Sequence, residues 1–116
     1  MKKSYEGSCH CGKVRFRAHI DLDDSIICDC SVCSKKGSII NRVGDAEFEL
    51  LTSIDDLSRY TFNTHIAKHY FCPDCGIHPF HRPRSYPDLW GINIRCLDGV
   101  KISEVKPRPV CGSRLE

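Results

Sequence analysis

The sequence predicts a mainly β fold, on three observations. Apolar and polar residues alternate over short runs, as on half-buried strands. Turn signals such as Gly12, Gly44-Asp45 and Asp98-Gly99 separate those runs. Helical periodicity is almost absent. The length of 116 residues suits one domain with a thin core, so residues 1–116 are read as a single domain.

Residues 5–9 form a first expected strand, and Cys9-His10-Cys11-Gly12 a tight turn. Over 13–20, Val14, Phe16, Ala18 and Ile20 face inward and Lys13, Arg15, Arg17 and His19 outward, which makes a hairpin with the first strand. An acidic turn at 21–24 leads to a short strand at 25–27. Ser31 is placed to cap one helical turn through Lys36, stopped by Gly37. Strands are expected at 39–43 and 47–52 about the turn at Gly44-Asp45, and Ser53 caps a turn over 54–57. Residues 58–62 and 66–71 are extended. Residues 77–84 carry two prolines, two histidines and two arginines and read as a loop or irregular edge. A strand over 89–97, the turn at Asp98-Gly99 and a returning strand over 100–105 follow. From about 106, two prolines and a Gly-Ser pair predict a fraying tail.

Nine cysteines is a high count for this length. The first residues, Met1-Lys2-Lys3-Ser4-Tyr5-Glu6, hold no apolar leader core, and no apolar run is long enough for a membrane span. A cytoplasmic setting is therefore expected, in which clustered cysteines bind metal or do thiol chemistry. The formal charge of +2 is a weak signal. Two zinc ions bound through seven thiolates would turn it slightly negative. No basic stripe with interleaved aromatics stands out, so nucleic acid is not an expected partner.

Cys9-x-Cys11 and Cys72-x-x-Cys75 supply the four thiols of a closed tetrahedral zinc site. Cys28, Cys30 and Cys33 form a second set of three. Three protein ligands leave a position for water or substrate, and a thiol entering it would lose its proton at neutral pH. Alternatives stay open: a redox pair at Cys30 and Cys33, or a triplet closed by Cys96 or a histidine. Cys96 could also serve a methionine-sulfoxide-reductase type of chemistry. His10, His19, His65 and His69 read as polar-facing or turn residues. His78 and His81, singly ordinary loop histidines, are as a pair the best general acid/base candidates. Lys35, Lys36, Arg42, Arg82, Arg84 and Arg95 are the cations nearest the motifs.

Gly7-Ser8-Cys9-His10-Cys11-Gly12-Lys13-Val14, Cys28-Asp29-Cys30-Ser31-Val32-Cys33 and Phe71-Cys72-Pro73-Asp74-Cys75-Gly76 together resemble the glutathione-dependent formaldehyde-activating enzyme family, which includes centromere protein V-like domains. Asn93-x-x-Cys96-Leu97-Asp98 resembles its closing strand. Asp29 stands where the family commonly has His or Asn. The resemblance implies an Mss4-like coiled antiparallel β-sheet domain with two zincs. Cys9, Cys11, Cys72 and Cys75 would hold the structural one, and Cys28, Cys30 and Cys33 the catalytic one. It also implies a carbon–sulfur lyase acting on glutathione, or a similar small thiol, and formaldehyde. The competing reading is a zinc-bearing protein-interaction module without catalysis.

Overall fold

The computed structural model describes residues 1–115. It is mainly β, with ten strands in two sheets and one short helix among the described residues. The three-stranded sheet has order β1-β2-β5, with β1 at Lys3–Ser8, β2 at Arg15–Ile20 and β5 at Phe48–Leu50. The seven-stranded sheet runs β10-β3-β4-β9-β8-β7-β6. Its strands are β3 (Ile26–Cys28), β4 (Ile40–Val43), β6 (Ser58–Tyr60), β7 (Lys68–Phe71), β8 (Phe80–Arg82), β9 (Trp90–Asn93) and β10 (Arg108–Val110). All pairings are antiparallel except β10 on β3.

The alternation over 13–20 is realised. Phe16, Ala18 and Ile20 are buried on β2 while Arg15, Arg17 and His19 are exposed. Phe80 and Ile92 of the other sheet, and Ile94 just past the end of β9, join them in one core. Phe16 meets Phe80 edge-on at 5.9 Å, and Phe48 lies 5.0 Å from Phe80 and 4.8 Å from Trp90. These offset contacts lock the two sheets face to face.

The helix α1 spans Ser31–Lys36 and ends at Gly37, whose φ of 66° is left-handed, as expected. Cys30, not Ser31, stands at its N-cap. Ser53 caps its turn by accepting from the Asp55 amide at 3.2 Å.

Four expectations need correction. Residues 77–84 are not an edge, because β8 is interior, between β9 and β7. Pro79 and Pro83 flank this three-residue strand, so their missing N–H groups do not interrupt its ladder. The strand over 89–97 stops at Asn93, whose side chain accepts from the Arg95 amide and starts a 3-10 turn at Ile94–Cys96. Residues 100–105 hold a 3-10 turn at Ile102–Glu104 instead of a strand. The Glu104 and Val105 amides bond locally to the Lys101 and Ile102 carbonyls, while Val100, Ile102 and Val105 reach the core. Beyond 106, β10 pairs with β3 rather than fraying, with Val110 opposite Cys28.

Candidate metal centres and thiol cavity

The first centre is built by two knuckles of the same design. In one, the Cys9 amide donates to the Val14 carbonyl at 3.1 Å; in the other, the Cys72 amide donates to Ile77 at 2.9 Å. Gly12 (φ 84°) and Gly76 (φ 77°) turn each knuckle through a conformation that side chains rarely adopt. The four sulfurs of Cys9, Cys11, Cys72 and Cys75 all lie within 4.8 Å of one another. Cys11 Sγ is 3.7 Å from Cys9 Sγ and 3.6 Å from Cys72 Sγ. Tetrahedral zinc with bonds of about 2.3 Å needs sulfur separations of ~3.8 Å, so the spacing fits. It is far beyond a disulfide bond of about 2.0 Å, and all nine cysteines are free thiols. Cys9 and Cys72 are buried and Cys11 is exposed, so the centre seals the edge of the main core.

The second centre joins Cys28 at the end of β3 to Cys30 and Cys33 at the start of α1. One helical turn carries Cys33 back over Cys30, and the three sulfurs lie within 4.8 Å of one another. Among the described residues, no fourth Cys, His, Asp or Glu joins that set. Cys96 does not close it. Cys96 packs against the main core, and burial, with Cys9 and Cys75 nearby, pushes its thiol up to about 12. That high value also disfavours a nucleophilic role for Cys96.

Burial raises the Cys28 thiol, and burial plus the hydrogen bond with Cys30 raises Cys33. Three such thiols ionise together only when a cation compensates them, which is the chemistry of a soft metal site.

The tail straps this centre, a feature the sequence reading missed. The Asp29 amide donates to the Val110 carbonyl, and Ser113 donates through its amide (2.9 Å) and hydroxyl (3.0 Å) to the Asp29 carboxylate. Gly112 lies so close that a Cβ there would sit 2.2 Å from Cys28 Sγ. Only a residue without a side chain fits over that sulfur.

The triplet forms one wall of a cavity of about 100 Å³. Ile40, Phe62 and Ala67 supply apolar lining, and Arg42, Arg84, His69 and His81 the polar groups. An adjoining groove holds Lys35, Lys36, Arg59, Tyr60, Phe71 and His78, and shares Val32 and Phe62 with the cavity. The structure thus sorts the cations named from sequence. Arg42, held 4.7 Å over the Tyr86 ring, and Arg84 face the cavity. Lys35 and Lys36 face the groove. Arg82 is committed elsewhere, 3.6 Å over Trp90 and paired with Asp45 at 3.0 Å, and Arg95 is exposed.

Of the two singled-out histidines, His81 lines the cavity and His78 the groove. His81 is not a solvated loop residue: it lies on β8, is 6% exposed and packs so tightly on Gly91 that a Cβ there would lie 2.3 Å from its ring, whereas His78 is a half-buried loop residue. His69, read from sequence as polar-facing, is 2% exposed and stacks on His81 at 5.2 Å and 9°. The period of β7 did mark it as the alternate of Tyr70, but nothing local said which face would be covered.

Burial and the Lys36 charge hold His69 and His78 at about 4, and His81 well below its usual value. These folded values lie below the unfolded one of about 6.5. Between them the unfolded chain binds more protons, so the stabilisation is whole above about pH 6.5 and is lost as pH falls toward 4. Urea midpoints are expected to drop across that window. They should drop less in a His69→Gln/His78→Gln variant; an equal drop in both proteins would discard the histidine origin.

Residues 4–111 match the sequence model described as glutathione-dependent formaldehyde-activating enzyme. The chain belongs to that family. A crystal structure of a Rhodobacter sphaeroides protein is also similar, at 34% identity and a TM-score of 0.83, covering 90% of this chain and 97% of that one. As in the family expectation, the chain is mainly β and carries two cysteine clusters that could hold metal ions. No helix among the described residues is long and apolar enough to cross a membrane.

Proposed function

We propose that this family member is a single-domain, zinc-dependent carbon–sulfur lyase-type enzyme. It binds a small anionic thiol, glutathione or a near relative, and adds it to, or releases it from, a small aldehyde such as formaldehyde. The observation that carries this reading is the three-thiol set with no fourth protein ligand among the described residues, on the wall of a cavity that also presents two arginines. The family description supports the choice of thiol and aldehyde. Free cysteines throughout suit a reducing, cytoplasmic setting.

In this reading Cys9, Cys11, Cys72 and Cys75 hold a structural zinc, and Cys28, Cys30 and Cys33 a second one. When bound, the second ion supplies a Lewis-acid position that lowers the pKa of an entering thiol. Arg42 and Arg84 bind the carboxylates of the thiol, with Arg42 kept in place by Tyr86. Lys35 and Arg59 extend the same field along the groove. His81 on the cavity side, and His78 in the groove, are held neutral by burial and are the candidate proton-transfer groups nearest the triplet. The thiolate lone pair forms the carbon–sulfur bond, the carbonyl π pair moves to oxygen, and that oxygen is protonated by water. The release reaction runs these steps backward.

Proton-exchange NMR on zinc-loaded protein with glutathione and formaldehyde tests the reading. Exchange between free glutathione and its hydroxymethyl adduct should exceed the buffer rate at least about tenfold. An Arg42→Glu/Arg84→Glu variant should raise the KM for glutathione on the order of tenfold, and leave that for uncharged mercaptoethanol unchanged. Exchange at the buffer rate in wild type would overturn the proposal.

A further inference from the structure

We infer that His69 is a catalytic residue of this site: its Nε2–H donates a hydrogen bond to the aldehyde-derived oxygen, and Lys36 is the positioning residue that keeps the proton on that nitrogen. The inference rests on the thiol–aldehyde reading above and assigns the oxygen half of that chemistry, which the cysteine triplet leaves unserved.

The geometry is specific. Lys36 Nζ lies 3.2 Å from His69 Nδ1. An ammonium has donors and no acceptor, so Nδ1 accepts and the single ring proton of a neutral imidazole sits on Nε2. Lys36 ends α1, one turn past Cys33, so the helix that presents the thiol ligands also fixes the histidine tautomer. Burial lowers the Lys36 pKa, and the neighbouring Cys33, Cys30 and Cys28 act against that by favouring its charged form. Stacking against His81 on one side and Phe62 at 6.0 Å restricts rotation of the His69 ring.

His69 Nε2 is buried and has no partner among the described residues. Buried donors in native proteins are rarely left so without a reason. The ring lines the cavity shared with Cys28, Cys30 and Cys33. An acceptor that reaches Nε2 from the cavity side of the ring would complete the bond. Carboxylates of the thiol are already matched by Arg42 and Arg84, and the thiol sulfur by the triplet. The remaining acceptor is the oxygen of the one-carbon unit. As the sulfur lone pair closes on carbon, the π pair collects on this oxygen, and a fixed N–H aimed at developing charge stabilises it most in the transition state. The oxygen then takes its proton from water, while His69 keeps its own, so the imidazole needs no change of protonation state.

Nitrogen-15 NMR of histidine-labelled, zinc-loaded protein reads the tautomer directly. The Nε2–H form of His69 is expected in wild type, and its loss or mixing in Lys36→Met. Thiol–aldehyde exchange should fall about 100-fold in His69→Leu, the usual effect of losing one such donor, while the Kd for glutathione alone changes less than about twofold. His69→Gln, whose amide N–H lies near the Nε2 position, should restore part of the rate; His69→Asn, whose amide mimics Nδ1, should not. A purely structural ring would give losses that follow melting temperature and no difference between Gln and Asn. An Nδ1–H tautomer in wild type, or unchanged exchange in His69→Leu, overturns the assignment while leaving the thiol–aldehyde reading standing. Wild-type protein without exchange removes that reading and this one together.

Discussion

Cys72→Ser is expected to abolish the folded state at 25 °C. Cys72 is 0% exposed, and its Sγ lies 3.6 Å from that of Cys11. It ties the turn after β1, at the edge of the three-stranded sheet, to the turn after β7 in the seven-stranded one. The exposed Lys13–Asp74 ion pair, 3.2 Å across these same turns, contributes little. A structural zinc in a small peptide fold is worth about 10 kcal/mol or more. The stability of an ordinary domain is about 5–15 kcal/mol, so losing one of four ligands removes most of what is available. Serine also places a hydroxyl at a fully buried sulfur position, at a further cost of about 1–3 kcal/mol if unpaired. Circular dichroism melts and zinc content of the purified variant check this. A cooperative melt within a few degrees of wild type would show that the first cysteine cluster is not a structural metal site.

The cysteine clusters were legible because their spacing is local. Cys9/Cys11 and Cys72/Cys75 each sit on one turn, and Cys28 to Cys33 span a strand end and one helical turn, so backbone geometry alone assembles each pair and the triplet, while the meeting of the two pairs, 61 residues apart, depends on the fold. The strand β2 was legible for the same reason: its alternation is long enough to choose one face. What the sequence could not show depends on partners distant along the chain. The interior position of β8 follows from β7 and β9 pairing on either side of it, which no property of residues 77–84 reveals. The burial of His81 depends on Gly91 leaving space beneath its ring. Lys36 and His69, 33 residues apart, each look like ordinary polar positions until β7 lies against the end of α1. The tail was read as loose because Pro107, Pro109 and Gly112 disfavour regular structure. Instead Pro109 sits on an edge strand, where a missing donor is tolerated, and Gly112 is selected by contact with Cys28.

Replacing Cys28, Cys30 and Cys33 together with serine is expected to give the opposite outcome to Cys72→Ser: a folded protein without exchange activity. These residues belong to a small cluster with Ile26 and Ile40, apart from the main core. The surrounding strands keep their backbone pairing, with β10 and β4 on either side of β3. Asp29 retains its bonds to Ser113. Only Cys33 of the three is fully buried, so the stability cost should stay near 1–3 kcal/mol plus whatever the second metal contributes. Zinc per chain should fall by one, and thiol–aldehyde exchange should fall to the buffer rate, because hydroxyls neither replace a thiolate set for soft metal nor bind a substrate thiol. Zinc content, melting temperature and exchange NMR on the same sample read all three effects. Full exchange in the variant would remove the triplet from the reaction. Unfolding as severe as in Cys72→Ser would make the triplet a second structural site, and the non-catalytic interaction module would become the better reading. The two variants are informative as a pair because both clusters are sets of thiols that could hold a metal ion. They differ in what stands beside the thiols: a fourth protein sulfur in one, and in the other a cavity lined by Arg42, Arg84 and His69.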